Sequence, residues 1–177
     1  MNHTLDLTRC AETDIARTGA FYDKVVLWLS EHENLPKWTY RVYPSEETVR
    51  AMTAANAQYI CLMDGEIVGA FAVGTEPQGR FDKCRWKRNL PEGAYMVLRT
   101  LAIDESVRGQ GIGGKIIRFC VDLAKSAGCA ALRVDVVPSN VPARRFYEKY
   151  GFTYAGDVDL ELDVKDVPVF SMYELNW

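Results

Sequence analysis

The chain has 177 residues, 48% of them hydrophobic and 25% charged. That balance excludes a disordered or fibrous polymer and suits one domain, 1–177, with a real core. A net charge of -3 gives no electrostatic reason to expect nucleic acid, and no apolar run is long enough to span a membrane.

Five scattered cysteines form no C-x-x-C pair, and His3 and His32 stand alone, so neither a disulfide framework nor a metal site is expected. The opening Met1-Asn2-His3-Thr4-Leu5-Asp6 lacks the basic and apolar regions of a signal peptide. These features point to a reducing cytoplasm.

Residues 5–10 suggest a first strand. Thr13 is a candidate cap for a helix over 14–31, where Ile15, Tyr22, Val25, Val26 and Leu29 recur at helical spacing. An aromatic connector with Trp38, Tyr40 and Tyr43 follows. A second helix starts at Pro44-Ser45, carries Glu46 and Glu47 in its first turn, and ends near Asn56.

Residues 59–63 and 67–73 are apolar runs joined through Asp64-Gly65, a tight-turn signal, and read as an antiparallel hairpin. Gly69 inside the second run marks either a bulge or a close approach. Residues 74–93 form a long polar connection. There Arg80, Lys83, Arg85, Lys87, Arg88 and Trp86 are either a solvated charged loop or a surface for an acidic or aromatic partner.

Residues 95–103 are nearly continuously apolar, as in a strand covered on both faces, with Arg99 and Thr100 interrupting the run. A helix to about Ser126 stops at Gly128, residues 131–137 form a buried strand, and a helix begins at Asn140 with Pro142 just inside. Residues 152–157 and 167–175 are the final strands. The segment between them sets Asp157, Asp159, Glu161, Asp163 and Asp166 against Lys165, as a solvated loop or an amine attractor.

The informative stretch is Arg108-Gly109-Gln110-Gly111-Ile112-Gly113-Gly114-Lys115, between a strand and a helix. Four glycines in six residues bare the backbone N–H groups at a helix entry, the positive end of its dipole, which suits phosphate. Three phosphate motifs compete for it. A Walker-type loop needs Ser or Thr after Lys115, where Ile116 stands. A dinucleotide fingerprint through Gly109, Gly111 and Gly114, with Asp135 as the ribose acid, puts its first glycine directly after the strand. Here residues 104–108 intervene, and too little chain follows for a second mononucleotide half.

The third reading, Arg108-x-x-Gly111-x-Gly113, resembles the pyrophosphate loop of the GNAT superfamily of acetyl-CoA-dependent N-acetyltransferases. Asn140-Val141-Pro142-Ala143-Arg144-Arg145-Phe146-Tyr147-Glu148-Lys149-Tyr150-Gly151-Phe152 resembles that family's second signature, N-x-x-A-x-x-x-Y-x-x-x-G-F. The two stand in the family's order, with a helix and a strand between them.

The resemblance implies a fold of α/β (α+β) type: a mixed, mostly antiparallel sheet of six to seven strands flanked by about four helices. It implies acetyl-CoA as co-substrate and a small-molecule or peptide amine as acceptor; from the composition, no metal, nucleic-acid or membrane partner is expected. Assembly as a homodimer stays open. The family's strand over 95–103 carries a bulge, after which backbone groups of Leu101, Ala102 and Ile103 meet the pantetheine arm. Gly109, Gln110, Gly111, Ile112, Gly113 and Gly114 would take the pyrophosphate with Arg108. Asn140 bonds the pantetheine arm or caps its helix, two compatible roles; Ala143 belongs with the cofactor, and Arg144 either reaches a phosphate or is a solvated helix residue.

An amine that attacks a thioester must lose a proton, and the departing thiolate must gain one. By resemblance Tyr147 is the acid, against a plain packed aromatic. Asp135, five residues before Asn140, is the base through water, or else it pairs with Arg133 on its own strand face or with another basic residue. Asp104 and Glu66 are lesser candidates. A CoA-binding sensor without catalysis, or an enzyme for a longer acyl-CoA, are the alternatives.

Overall fold

A computed structural model describes residues 4–177; His3 and the first two residues lie outside the described part. Among the described residues seven strands are found: β1 Leu5–Arg9, β2 Gln58–Met63, β3 Glu66–Gly74, β4 Met96–Ile103, β5 Ala131–Val136, β6 Thr153–Val158 and β7 Phe170–Asn176. The helices are α1 Ile15–Glu31, α2 Glu46–Ala54, α3 Ile112–Ser126 and α4 Val141–Lys149. The strands form a sheet in the order β1-β2-β3-β4-β5-β7-β6. β4 and β5 are parallel, whereas β1–β2, β2–β3, β5–β7 and β6–β7 are antiparallel. This is the mixed, mostly antiparallel sheet with four helices that the motifs implied.

The chain divides into two compact units. The first holds the described residues up to Asn34, then 38–73 and 99–116; the second holds 35–37, 74–98 and 117–177. β4 and α3 each contribute residues to both.

In the first unit the apolar stripe of α1, with Tyr22, Val25 and Leu29, packs with Val49 of α2 and with Ile60, Ala70 and Ala102 of the strands. Thr13 is not the cap expected of it. It lies inside a 3-10 turn, Glu12–Asp14, that precedes α1, and Asp14 instead accepts from the Ala11 N–H at 2.9 Å. Ser45 does cap α2, accepting from the Thr48 N–H at 3.3 Å. The hairpin pairs Met63 with Glu66 across Asp64-Gly65. Gly69 satisfies both of its readings. The β2–β3 register shifts beside its partner Cys61, and a Cβ on it would stand 3.2 Å from the Cys61 Cβ and 3.3 Å from the Ala102 carbonyl oxygen.

The second unit has its own core, with Phe81, Cys84, Tyr95, Val97, Leu160, Phe170 and Met172 among its members. The connection 74–93 is therefore not a wholly solvated loop. Phe81 is buried, and Trp86 donates its indole N–H to the Phe81 carbonyl at 2.9 Å. Trp86 and Tyr95 each lie 4.0 Å from the Arg133 guanidinium, which is 1% exposed and donates to the Arg88 carbonyl at 2.8 Å. Glu174, opposite Arg133 on β7 and equally buried, accepts from the Lys87 N–H at 2.7 Å and stands 3.9 Å from Arg133. The basic loop and the acidic segment partner each other: Arg80 and Lys83 both pair with Glu161. Aromatic and charged residues that read as a recognition surface are, in large part, what ties 80–90 to the sheet.

Candidate active site

The cofactor residues expected from the sequence fall in both units. Leu101, Ala102, Ile103 and 108–114 belong to the first; Asp135, Asn140, Ala143, Arg144 and Tyr147 belong to the second.

In the first unit, β4 departs from regular strand geometry at Thr100, whose φ is +49°. A β-branched residue is a genuine outlier in the left-handed region, so its surroundings must impose it. The fully buried Tyr22 does so in part. Its hydroxyl donates to the Thr100 carbonyl at 2.9 Å and lies 3.2 Å from the Thr100 hydroxyl. Gln58, also buried, holds the network from β2 by donating to the Phe71 carbonyl at 3.0 Å and reaching the Tyr22 oxygen at 3.5 Å. Burial pushes the Tyr22 phenol well above its ordinary range.

Asp104 ends the strand. Its N–H donates to the Val68 carbonyl at 2.9 Å, and its carboxylate accepts from the Ser106 N–H at 3.0 Å and hydroxyl at 2.6 Å. Burial would raise this carboxyl, but hydrogen bonds from Lys24 and Ser106 outweigh it and hold the group below the usual carboxylate range. Asp104 is thus an anchor for the segment leading to the glycine loop and a poor base. Glu66 lies exposed beside the hairpin turn.

A 3-10 turn, Glu105–Val107, then delivers Arg108, whose guanidinium stands 4.4 Å over the Trp28 ring of α1. Gly109 and Gly111 have φ of +79° and +76°, and no atom lies within 4 Å of where a Cβ would sit on either. The Lys115 N–H donates to the Gly111 carbonyl at 3.3 Å, so the amides of Ile112, Gly113 and Gly114 precede that helical bond. Ile112 buries its side chain, while Gly109, Gln110 and Gly111 are exposed. Bare amides, left-handed glycines and a helix start form a cradle that fits a pyrophosphate.

In the second unit, Asn140 caps α4: its side-chain oxygen accepts from the Ala143 N–H at 3.2 Å, with Pro142 in the first turn. Arg144 donates to the Tyr173 hydroxyl at 2.9 Å and to the Pro138 carbonyl at 3.3 Å, and Tyr173 donates on to Glu148 at 3.0 Å. Its guanidinium is thereby engaged within the unit, on a half-buried side chain. Tyr147 is buried between Phe146 and Phe152, both edge-on with centroids 5.2 Å away. Burial pushes its phenol well above the ordinary range, and the negative charge of Asp135 adds to the shift. Asp135 itself is half-buried opposite Met172. The candidate acid and base are thus electrostatically coupled.

Residues 24–152 match the family model described as "Acetyltransferase (GNAT) family". The chain belongs to the GNAT acetyltransferase family. A thialysine N-epsilon-acetyltransferase from Bos taurus is 30% identical over 137 residues, which is 72% of this chain and 74% of that protein. Among solved structures, a GNAT family acetyltransferase from Streptococcus agalactiae superposes with a TM-score of 0.77 at 16% identity, covering 99% of each chain. A putative acetyltransferase from Salmonella typhimurium, solved with its cofactor acetyl-CoA, gives 0.69 at 15% identity over 99% of this chain and 94% of that one. Both share the fold. As a member of the GNAT acetyltransferase family the chain is an acyltransferase.

Sequence reasoning missed Tyr22, Lys24, Trp28 and Gln58 as neighbours of this backbone. Tyr22 registered only as one more apolar position on α1, and nothing local to Lys24, Trp28 or Gln58 marks their long-range partners. Among the described residues no helix is long and apolar enough to cross a membrane, and no cluster of three or more His, Cys, Asp or Glu could hold a metal.

Proposed function

We propose that this chain, as one N-acetyltransferase domain over 1–177, moves an acetyl group from acetyl-CoA to a primary amine by direct attack in a ternary complex. The observation that carries this reading is the loop at the start of α3, with Gly109 and Gly111 in the left-handed region and open space where a Cβ would stand. The amides of 109–114 hold the pyrophosphate, with Arg108 adding charge. The backbone of Leu101, Ala102 and Ile103, beyond the Thr100 distortion, receives the pantetheine arm. Bound acetyl-CoA supplies a thioester carbonyl and a thiol leaving group.

Tyr147 is the general acid toward the departing sulfur. Its raised pKa keeps the proton in place until the thiolate develops. Asp135 takes the proton from the amine through water. Occupation of the Arg133 guanidinium by Trp86, Tyr95, Arg88 and Glu174 supports this role over a simple Asp135–Arg133 pair. The acceptor is a small-molecule or peptide amine, the class to which the thialysine enzyme's named substrate belongs. Five buried cysteines, none of them in a disulfide, suit a reducing compartment, the cytoplasm.

Ligand-dependent melting tests the cofactor assignment. Acetyl-CoA raises Tm by linkage, and ATP and NAD leave it unchanged. A larger shift with NAD would return the loop to the dinucleotide class.

A further inference from the structure

We propose that Tyr22 is a positioning residue for acetyl-CoA, acting through the peptide unit between Thr100 and Leu101. The inference rests on the function proposed above.

A trans peptide is planar, and its C=O and N–H point in opposite directions. Tyr22 holds the Thr100 carbonyl from α1 with a 2.9 Å hydrogen bond made by a hydroxyl that is itself fully buried. The same bond therefore aims the Leu101 N–H away from α1. Leu101 is the first of the residues assigned to the pantetheine arm, so a side chain on α1 sets the direction of a donor it never touches.

The arrangement has to be held, because Thr100 sits at φ +49°, where a β-branched residue does not stay unaided. Two side chains hold it, one directly and one through the other. The Tyr22 hydroxyl meets the carbonyl and the Thr100 hydroxyl, and Gln58 braces the Tyr22 oxygen from β2. Tyr22 in turn is fixed edge-on against Phe21 and Trp38, at centroid distances of 5.9 and 6.2 Å. Nothing in α1 requires a phenol there for packing alone, since phenylalanine fills the same volume. The hydroxyl has its use at the Thr100 carbonyl.

The test is Tyr22→Phe, which keeps the ring and removes the donor. Calorimetry is run with acetyl-CoA and with adenosine 3′,5′-bisphosphate, which lacks the pantetheine arm. Affinity for acetyl-CoA should fall about tenfold, the worth of one hydrogen bond of ordinary strength, with the bisphosphate fragment bound as before. In kinetics the KM for acetyl-CoA should rise while the KM for the acceptor holds. Replacing Tyr22 by 4-aminophenylalanine restores a donor at the same place and should restore affinity.

A merely structural hydroxyl predicts lower Tm with both affinities unchanged, and that result overturns the proposal. So does an equal loss for acetyl-CoA and the fragment. Should the single variant not fold, the comparison is made in a Thr100→Gly background, where the positive φ is unstrained and the same tenfold, arm-specific loss is expected. If the wild-type protein binds no acetyl-CoA at all, it is the function proposed above that fails, and the two failures are distinguishable.

Discussion

Two glycine-to-alanine changes separate the loop's chemistry from its architecture. Gly111 and Gly79 both have positive φ, +76° and +71°. A Cβ on Gly111 meets nothing within 4 Å, whereas one on Gly79 would stand 2.4 Å from the Leu160 carbonyl oxygen and 3.1 Å from the Leu160 Cβ. That carbonyl also accepts from the Arg80 N–H at 3.0 Å. For Gly111→Ala the folded state bears only the left-handed strain, about 1–2 kcal/mol. Against a total stability of about 5–15 kcal/mol the protein stays folded, with Tm lower by roughly 2–8 °C.

The new methyl stands where the pyrophosphate approaches the amides. Loss of one charge-assisted hydrogen bond, about 1.5–3 kcal/mol, weakens acetyl-CoA binding about 10- to 100-fold. Gly79→Ala bears the same strain plus a backbone collision worth about 1–3 kcal/mol more, so it melts lower still, yet its folded fraction binds acetyl-CoA as the wild type does. Calorimetry below both melting transitions reads the contrast. A folded Gly111→Ala protein with wild-type affinity would refute the pyrophosphate assignment. Equal losses in both variants would show that binding merely follows stability.

Tyr147→Phe should lower kcat about 10²-fold with little change in acetyl-CoA affinity, and the defect should shrink with a donor carrying a more acidic thiol. A defect indifferent to the leaving group would mark Tyr147 as a packing residue. Asp135→Asn should lower kcat and remove the acidic limb of the pH profile. Because the Asp135 charge helps to raise the Tyr147 phenol, the variant should also lower the pKa of that phenol, as followed by NMR of labelled tyrosine; an unchanged tyrosine titration would break the coupling. Tyr22 and Tyr147 both titrate above their unfolded value of 10.0. Above about pH 10 the unfolded chain therefore releases protons that the native chain keeps, and stability falls as pH rises. Alkaline denaturation should be monitored by ultraviolet absorbance: ionisation of both tyrosines should accompany unfolding, and full ionisation in a still-folded protein would contradict their burial.

Local signals carried most of the fold. Apolar runs, the Asp64-Gly65 turn and Gly128 after α3 placed the elements within a few residues, because each depends on neighbours in sequence. The glycine loop and the Asn140 cap were legible for the same reason. Thr13 misled because Asp14 takes the Ala11 N–H first, and a 3-10 turn displaces the helix start. What stayed hidden was long-range. The strained Thr100 is held by a tyrosine 78 residues away, and Asp104 by a lysine 80 residues away. The charge pattern of 80–88 does not reveal that Arg80 and Lys83 meet Glu161, or that Trp86 covers a buried arginine two strands later in the chain. A pattern of charges fixes how polar a segment is, whereas its partners depend on the folded sheet.

The most direct test is an initial-rate study of CoA release from acetyl-CoA against a panel of primary amines, with the acetylated amine quantified in parallel. The account predicts release that depends on the amine, one acetylated amine per CoA, rate plots that intersect as both substrates are varied, and no acetylated enzyme. Acetyl-CoA binding without amine-dependent release from any acceptor, or parallel plots with an acetyl group retained on the protein, would contradict direct acetyl transfer.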